Sequence, residues 1–287
     1  MNRREAIQSI GITTAGVISA GLSVAGSAQS AKQAVDPTIP PPPGSHPKHD
    51  MTHYNIPHQR QPVLMLLYPG VCALDVAAAQ QILARMGNTD VHLAWKTKDI
   101  ISSDTDIPLQ ATDTFAEIED DPFILLIPGG STGISDVMTD DKVMDFLAKK
   151  ASKATIISAS GSGTLILGAL GLLKGYKTSG HWMTRDFLKG CGAHPLEQRV
   201  VSDRNRVTSA GATGAIDLAL HLVSRLRNDK MVAALTLANE YDPAPLVRTG
   251  TPRLAPADVT QMEWAMNAGL RDDLREALAA TKKRRKS

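Results

Sequence analysis

The chain has 287 residues, 43% of them hydrophobic, which suits one α/β core of about 200 residues with additions at its ends. Lysine and arginine number 31 against 29 acidic residues, a net charge of +2, so no global field steers the chain toward nucleic acid or an anionic membrane. Two cysteines, Cys72 and Cys191, are too few for a disulfide scaffold or a thiolate zinc site.

Residues 1 to 30 have the order of an export signal: Arg3 and Arg4, then small and apolar residues from Ile7 to Gly26, then Ser27 to Ala31 for a peptidase. The paired arginines look like a twin-arginine signal, which implies delivery of a folded protein to the periplasm. Interrupting Ser, Thr and Gly leave this stretch short of a membrane span, and no later segment reaches the roughly 18 apolar residues that a span needs. No stable membrane insertion is therefore expected after signal removal.

Residues 31 to 60 hold Pro40 to Pro43 and four of the eight histidines, His46, His49, His53 and His58. The prolines favour an extended spacer. Imidazoles can ligate metal, but no regular Cys, Asp or Glu spacing accompanies them, and a solvated linker is the expectation.

From Pro62 the pattern becomes that of a core. Val63 to Leu67 is a continuous apolar run of strand length, Leu74 to Met86 has helical spacing, and Val91 to Trp95 is a second strand: one βαβ unit. Pro108 to Thr114 reads as a short strand or hairpin arm, Phe123 to Ile127 as a third buried strand, and residues 140 to 151 as a helix. A fourth strand, Ala154 to Ser158, breaks into Ala159-Ser160-Gly161-Ser162-Gly163 before a helix over 164 to 173. Residues 174 to 179 suggest a strand pair, and His181-Trp182 the opening of a short helix. Val200-Val201 and Val207-Thr208 read as strands, residues 215 to 227 and 230 to 238 as helices, and 256 to 280 as one long amphipathic helix with a basic tail. Alternation of this kind predicts a parallel sheet with helices on both faces and ligands beyond the carboxyl ends of its strands.

That rule singles out three loops. Asp75, a turn into the first helix, can move a proton or hold a water; it can equally just favour the helix dipole. Gly129 and Gly130, after the third strand, leave backbone amides that could cradle an oxyanion. Ser160, Gly161 and Ser162 occupy a sharp strand-to-helix turn of the kind that presents nucleophiles, yet neither serine stands in a G-x-S-x-G elbow, and no base is local to them. His181 reads either as a pocket residue or as a satisfied core histidine.

Taken together these loops resemble the DJ-1/PfpI superfamily, and within it the isonitrile hydratases. The resemblance rests on Tyr68-Pro69-Gly70 with Leu74-Asp75, Val91 to Lys96, Ile127 to Gly130, Leu165 to Tyr176, His181-Trp182, and Glu240 to Pro245, in that order over about 61 to 255. It implies a flavodoxin-like parallel-sheet sandwich over 61 to 255, with 256 to 287 as a C-terminal helix and tail. It also implies a homodimer, a small-molecule substrate, and no metal or organic cofactor. Isonitrile hydratases add water to an isonitrile to give an N-substituted formamide, using an elbow cysteine and an acid after the first strand. The acid carries across to Asp75. The cysteine position falls on Gly161, or on Ser160 with a one-residue insertion, and neither is a thiol. Cys72, three residues before Asp75, is a candidate relocated thiol or a small loop residue; Cys191 matches no site position. Two readings follow: a hydratase or related lyase that uses Asp75 without the cysteine, and a non-catalytic small-molecule-binding protein on the same fold.

Overall fold

The computed structural model describes residues 51 to 284 together with Thr38, Pro40, Pro43 and Gly44. The export signal, His46, His49 and the basic residues beyond 284 lie outside the described residues. In chain order the elements are a 3-10 turn (Met51–Tyr54), β1 (Gln61–Leu66), α1 (Ala73–Leu83), β2 (Thr89–Trp95), β3 (Ile100–Ser102), β4 (Pro108–Gln110) and β5 (Asp113–Thr114). Next come β6 (Ile124–Ile127), α2 (Gly133–Thr139), α3 (Asp141–Ala151), β7 (Ile156–Ser160), a 3-10 turn (Gly161–Gly163) and α4 (Thr164–Ala169). The chain continues with β8 (Lys177–Thr178), α5 (Phe187–Gly190), β9 (His194–Pro195), β10 (Val200–Asp203) and β11 (Arg206–Ser209). It ends with α6 (Gly214–Leu226), α7 (Asp229–Ala238), α8 (Ala257–Met266) and α9 (Ala268–Arg284).

Seven strands form one sheet in the order β10-β11-β7-β6-β1-β2-β5, parallel except for the β10–β11 hairpin. The central strands are apolar on both faces because helices cover both: every residue of β6 and β7 is buried, as are Val63 to Leu66 of β1. Each such Leu or Ile contributes roughly 1.5–3 kcal/mol by leaving water. From β1 the chain first builds outward through β2, then returns to lay β6 against the opposite side of β1. Successive connections therefore diverge at the β1–β6 boundary, and the crevice lies where the loops after these strands part.

The structure differs from the sequence reading in several places. The chain joins the core ahead of residue 61: Tyr54 and Ile56 pack against it, and the Asn55 side-chain amide donates to the Arg227 carbonyl. Helix α2 is an element the sequence reading did not include; Ile134, Val137 and Met138 bury one of its faces. The strand expected over 154 to 158 is displaced to Ile156–Ser160, so Ser160 ends the strand. His181 and Trp182 do not open a helix; they sit in a turn where the amides of Thr184 and Arg185 both donate to the His181 carbonyl, and α5 starts only at Phe187. The single helix expected over 256 to 280 is two, broken at Asn267. The break has a packing cause: α8 buries no residue, whereas α9 turns Leu274, Ala277 and Leu278 into the core beside α2. No helix among the described residues is long and apolar enough to cross a membrane.

Candidate active site

Asp75 lies in the first turn of α1 and is 1% exposed, at the end of the crevice where β1, β6 and β7 finish. Its Oδ2 accepts the Gly129 amide at 2.7 Å and the Ser160 hydroxyl at 2.6 Å. Oδ1 has no hydrogen-bond partner among the described residues; the Ala212 amide stands near enough to favour the charged form without closing a bond. Burial dominates and pushes the pKa up from 3.8 to about 6, against the opposing pull of Ser160, Gly129 and Ala212 and with a small contribution from the Asp104 charge. The carboxyl is thus poised to gain and lose a proton near neutral pH. When protonated, the hydrogen belongs on Oδ1, because Oδ2 is already an acceptor twice over.

The elbow after β7 is built on Gly161, whose φ of +54° lies in the left-handed region that glycine enters without a Cβ penalty. A Cβ placed there would come 3.6 Å from Asp75 Oδ2, so the position faces the carboxylate as a nucleophile would. The same Cβ would meet Gly211 Cα at 2.9 Å. The loop after β11 occupies the space that a side chain would need. Its next residue, Ala212, holds φ +50°, a backbone conformation that alanine adopts only under constraint.

The glycine turn after β6 does not form an open oxyanion cradle. The Gly129 amide is given to Asp75, the Gly130 amide to Ser162 Oγ at 3.0 Å, and the Ser131 amide to the Gly70 carbonyl at 3.1 Å. Ser162 Oγ in turn donates to the Gly130 carbonyl, locking the two loops together. Ser160 stands behind Asp75 and holds it, off the cavity wall, whereas Cys72, Asp75, Gly129, Gly130, Gly161, Ser162 and His181 all border a cavity of about 230 Å³. Cys72 precedes α1, and its thiol pKa is pushed up to about 12 by burial first and by Asp75 second. A thiol held that firmly protonated is a poor nucleophile. His181 is kept neutral by burial and by the Arg185 charge.

Several cavity residues have no local sequence signal. Asp104 reaches the site from the β3–β4 hairpin, which is tied to the first loop by its own amide donating to Val71 and by Gly70 donating to Ser102. Its carboxylate also accepts the Ala73 amide at 3.3 Å, capping α1. Met183, Gly211 and Ala212 come from turns, and Leu270, Arg271 and Leu274 from α9. No group of three or more metal-ligating side chains occurs among the described residues.

The sequence pattern of the DJ-1/PfpI family matches residues 61 to 225. The chain belongs to the DJ-1/PfpI family. Within that family it is 36% identical over 220 residues to an isonitrile hydratase of Pseudomonas putida, covering 75% of this chain and 95% of that protein. A THiJ/PfpI family protein from Pseudomonas syringae superposes with a TM-score of 0.76 at 33% identity, over 84% of this chain and 98% of that one. Drosophila melanogaster DJ-1beta, at 20% identity, shares the fold with a TM-score of 0.59, over 63% of this chain and 98% of its own. This DJ-1/PfpI protein is thus a homologue of isonitrile hydratase whose elbow residue carries no side chain.

Proposed function

We propose that the protein is a hydratase that adds water across the terminal carbon of a small isonitrile-type molecule, with Asp75 as the proton carrier and without a covalent thioimidate. The observation that carries this reading is the Asp75 carboxyl itself: 1% exposed, held by Ser160 and Gly129 through one oxygen only, with a pKa of about 6. Burying a carboxyl in this way costs stability, and a group so placed in a cavity is a candidate for chemistry.

The chemistry balances with one residue. The neutral carboxyl gives its proton to the isonitrile carbon, producing a nitrilium ion and the carboxylate. Water then adds to that carbon and surrenders a proton to Asp75, restoring the acid. The resulting N-substituted formimidic acid tautomerises to the formamide. The similarity to isonitrile hydratase supports the substrate class, and Gly161 with Gly211 supports a route without an elbow nucleophile. The test is turnover of an isonitrile panel by the wild-type protein and by Asp75→Asn; equal rates would sink the reading. Retained ligand binding with no Asp75-dependent turnover of any substrate would favour the non-catalytic binding protein instead.

Export and assembly belong to the same proposal. The Arg3-Arg4 pair before the mild apolar stretch supports twin-arginine export to the periplasm, checked by fractionation of cells and by the N-terminus of the mature protein. The exposed Leu246, Val247, Met262 and Met266, on α8 and the arm before it, support a homodimer. Sedimentation of the purified protein checks that.

A further inference from the structure

The β3–β4 hairpin brings a second carboxylate to the cavity. Asp104 borders the same space as Asp75 and, unlike it, is exposed to solvent. The hairpin is fixed over the first loop: the Asp104 amide donates to the Val71 carbonyl at 3.0 Å and the Gly70 amide to the Ser102 carbonyl at 2.8 Å. Its tip is tied from within, because the buried Ser103 hydroxyl accepts the Ile107 amide at 2.9 Å and the Thr105 amide at 3.3 Å. Asp104 Oδ1 accepts the Ala73 amide at 3.3 Å, which caps α1 with one oxygen and leaves the other for a water. The carboxylate lies close enough to Tyr68, Cys72 and Asp75 that its charge disfavours ionisation of all three. No free cation among the described cavity residues offsets it. Arg271, on the wall that α9 gives the cavity, bonds Asp186 through both terminal nitrogens, at 3.1 and 2.8 Å. His181 is kept neutral by burial and by Arg185, and Cys72 stays a thiol. The cavity is therefore electronegative beside the first loop, a field that favours positive charge developing inside it.

Resting on the hydratase reading, we infer that Asp104 is a second catalytic residue: it holds the attacking water and stabilises the nitrilium ion that proton transfer from Asp75 creates. One hydrogen of the water is donated to the Asp104 carboxylate, and the other is the proton that passes to Asp75. An oxygen lone pair is thereby left for the carbon, where the new C–O bond forms as the O–H bond to the departing proton breaks. Asp104 itself is unchanged at the end. The two carboxyl groups divide the work by environment. Asp75, 1% exposed and with Oδ1 lacking a partner among the described residues, gives and takes the proton. Asp104, open to solvent, meets the incoming water and acts as an anion. Because the isonitrile enters neutral and the cation exists only along the reaction path, the Asp104 charge acts on kcat and hardly on KM.

Two substitutions separate this role from the cap. Asp104→Asn keeps a carbonyl oxygen for the Ala73 amide and removes the charge, whereas Asp104→Ala removes both. In steady-state kinetics on an isonitrile, Asp104→Asn is expected to lose about thirtyfold or more in kcat, with KM within about threefold of wild type and thermal stability unchanged. Asp104→Ala is expected to lose as much and to regain about fivefold when formate supplies a carboxylate at the vacated rim, which chloride at the same ionic strength does not do. Calorimetry at pH 8 reads the field without turnover. Wild-type protein is expected to bind N-methylformamidinium, a stable cation, about tenfold tighter than neutral N-methylformamide, and that preference is expected to fall about fivefold in Asp104→Asn. The inference is overturned if Asp104→Asn keeps kcat within threefold of wild type, if formate restores nothing to Asp104→Ala, if the amidinium preference is the same in Asp104→Asn, or if Asp104→Asn loses as much thermal stability as Asp104→Ala. Should Asp75→Asn abolish turnover while Asp104→Asn does not, the hydratase reading stands and only the role of Asp104 falls. If wild-type protein hydrates no isonitrile, both fall together.

Discussion

Ser160 Oγ donates to Asp75 Oδ2 at 2.6 Å, joining the last residue of β7 to the first turn of α1 across the crevice. This bond favours the ionised carboxylate, while burial disfavours it, and burial wins. Removing the hydroxyl therefore tips the balance further. A hydrogen bond to a charged group is worth roughly 1.5–3 kcal/mol, so Ser160→Ala is expected to raise the Asp75 pKa above 6 by about one to two pH units. Because the proposed reaction starts from neutral Asp75, activity in the wild-type protein falls as pH rises through about 6. In Ser160→Ala that falling limb moves to higher pH. The groups that face Asp75 from neighbouring elements are Tyr68, Cys72 and Asp104, with His181 and Arg271 further round the cavity. A pH profile of kcat/KM checks this, and a limb that stays in place in Ser160→Ala contradicts it.

Asp75→Asn is expected to abolish hydration and yet to stabilise the fold. The folded pKa is raised from 3.8 to about 6, so the native state binds the proton more tightly than the unfolded chain does. Stability is then highest below pH 4 for this group and is lost as pH rises to 6, remaining lost above. The difference amounts to something on the order of 3 kcal/mol at pH 8. Asparagine keeps an acceptor for Gly129 and Ser160 and carries no charge. Denaturant unfolding at pH 8 should show the variant more stable by up to that amount, with the gap closing toward pH 4. A variant that is less stable at both pH values would show that the charge is not what burial opposes here.

The features legible in the sequence are local ones. Val63 to Leu67 and Ile124 to Ile127 announce buried strands because helices cover both faces of the sheet, and Asp75 was visible because the carboxyl ends of such strands collect function. Gly129 and Gly130 were visible as a turn, but where their amides point depends on Asp75 and Ser162, far away in the chain. Asp104 could not be found that way, since the β3–β4 hairpin gives no sign of folding over the first loop. The α9 wall was hidden for a similar reason: Leu270 and Leu274 fit any amphipathic helix, and only the break at Asn267 turns them toward the cavity.

Cys72 borders the cavity three residues from Asp75, yet its pKa of about 12 leaves almost no thiolate at neutral pH. The neighbouring Asp104 carboxylate disfavours ionisation further. Cys72→Ser is therefore expected to lower turnover by less than about threefold, a small packing effect, and to leave the pH profile without a missing limb. A loss of a hundredfold or more, with alkylation of the wild-type thiol giving the same loss, would instead make the thiol the nucleophile.

Gly161→Cys tests whether the elbow can be refilled. The residue would have to hold φ +54° and place its Cβ 2.9 Å from Gly211 Cα, a backbone atom that cannot rotate away. Strain of this kind costs about 1–3 kcal/mol. Gly161→Ala carries the same backbone and Cβ penalties without a thiol, and both variants are expected to lose thermal stability to a similar degree. The thiol itself would lie near Asp75, whose carboxylate, when ionised, opposes thiolate formation by charge. Turnover in Gly161→Cys should consequently match that of Gly161→Ala and stay insensitive to iodoacetamide. If Gly161→Cys is instead as stable as wild type and its turnover becomes sensitive to alkylation, the loop carrying Gly211 yields, and the covalent route is open to this chain after all.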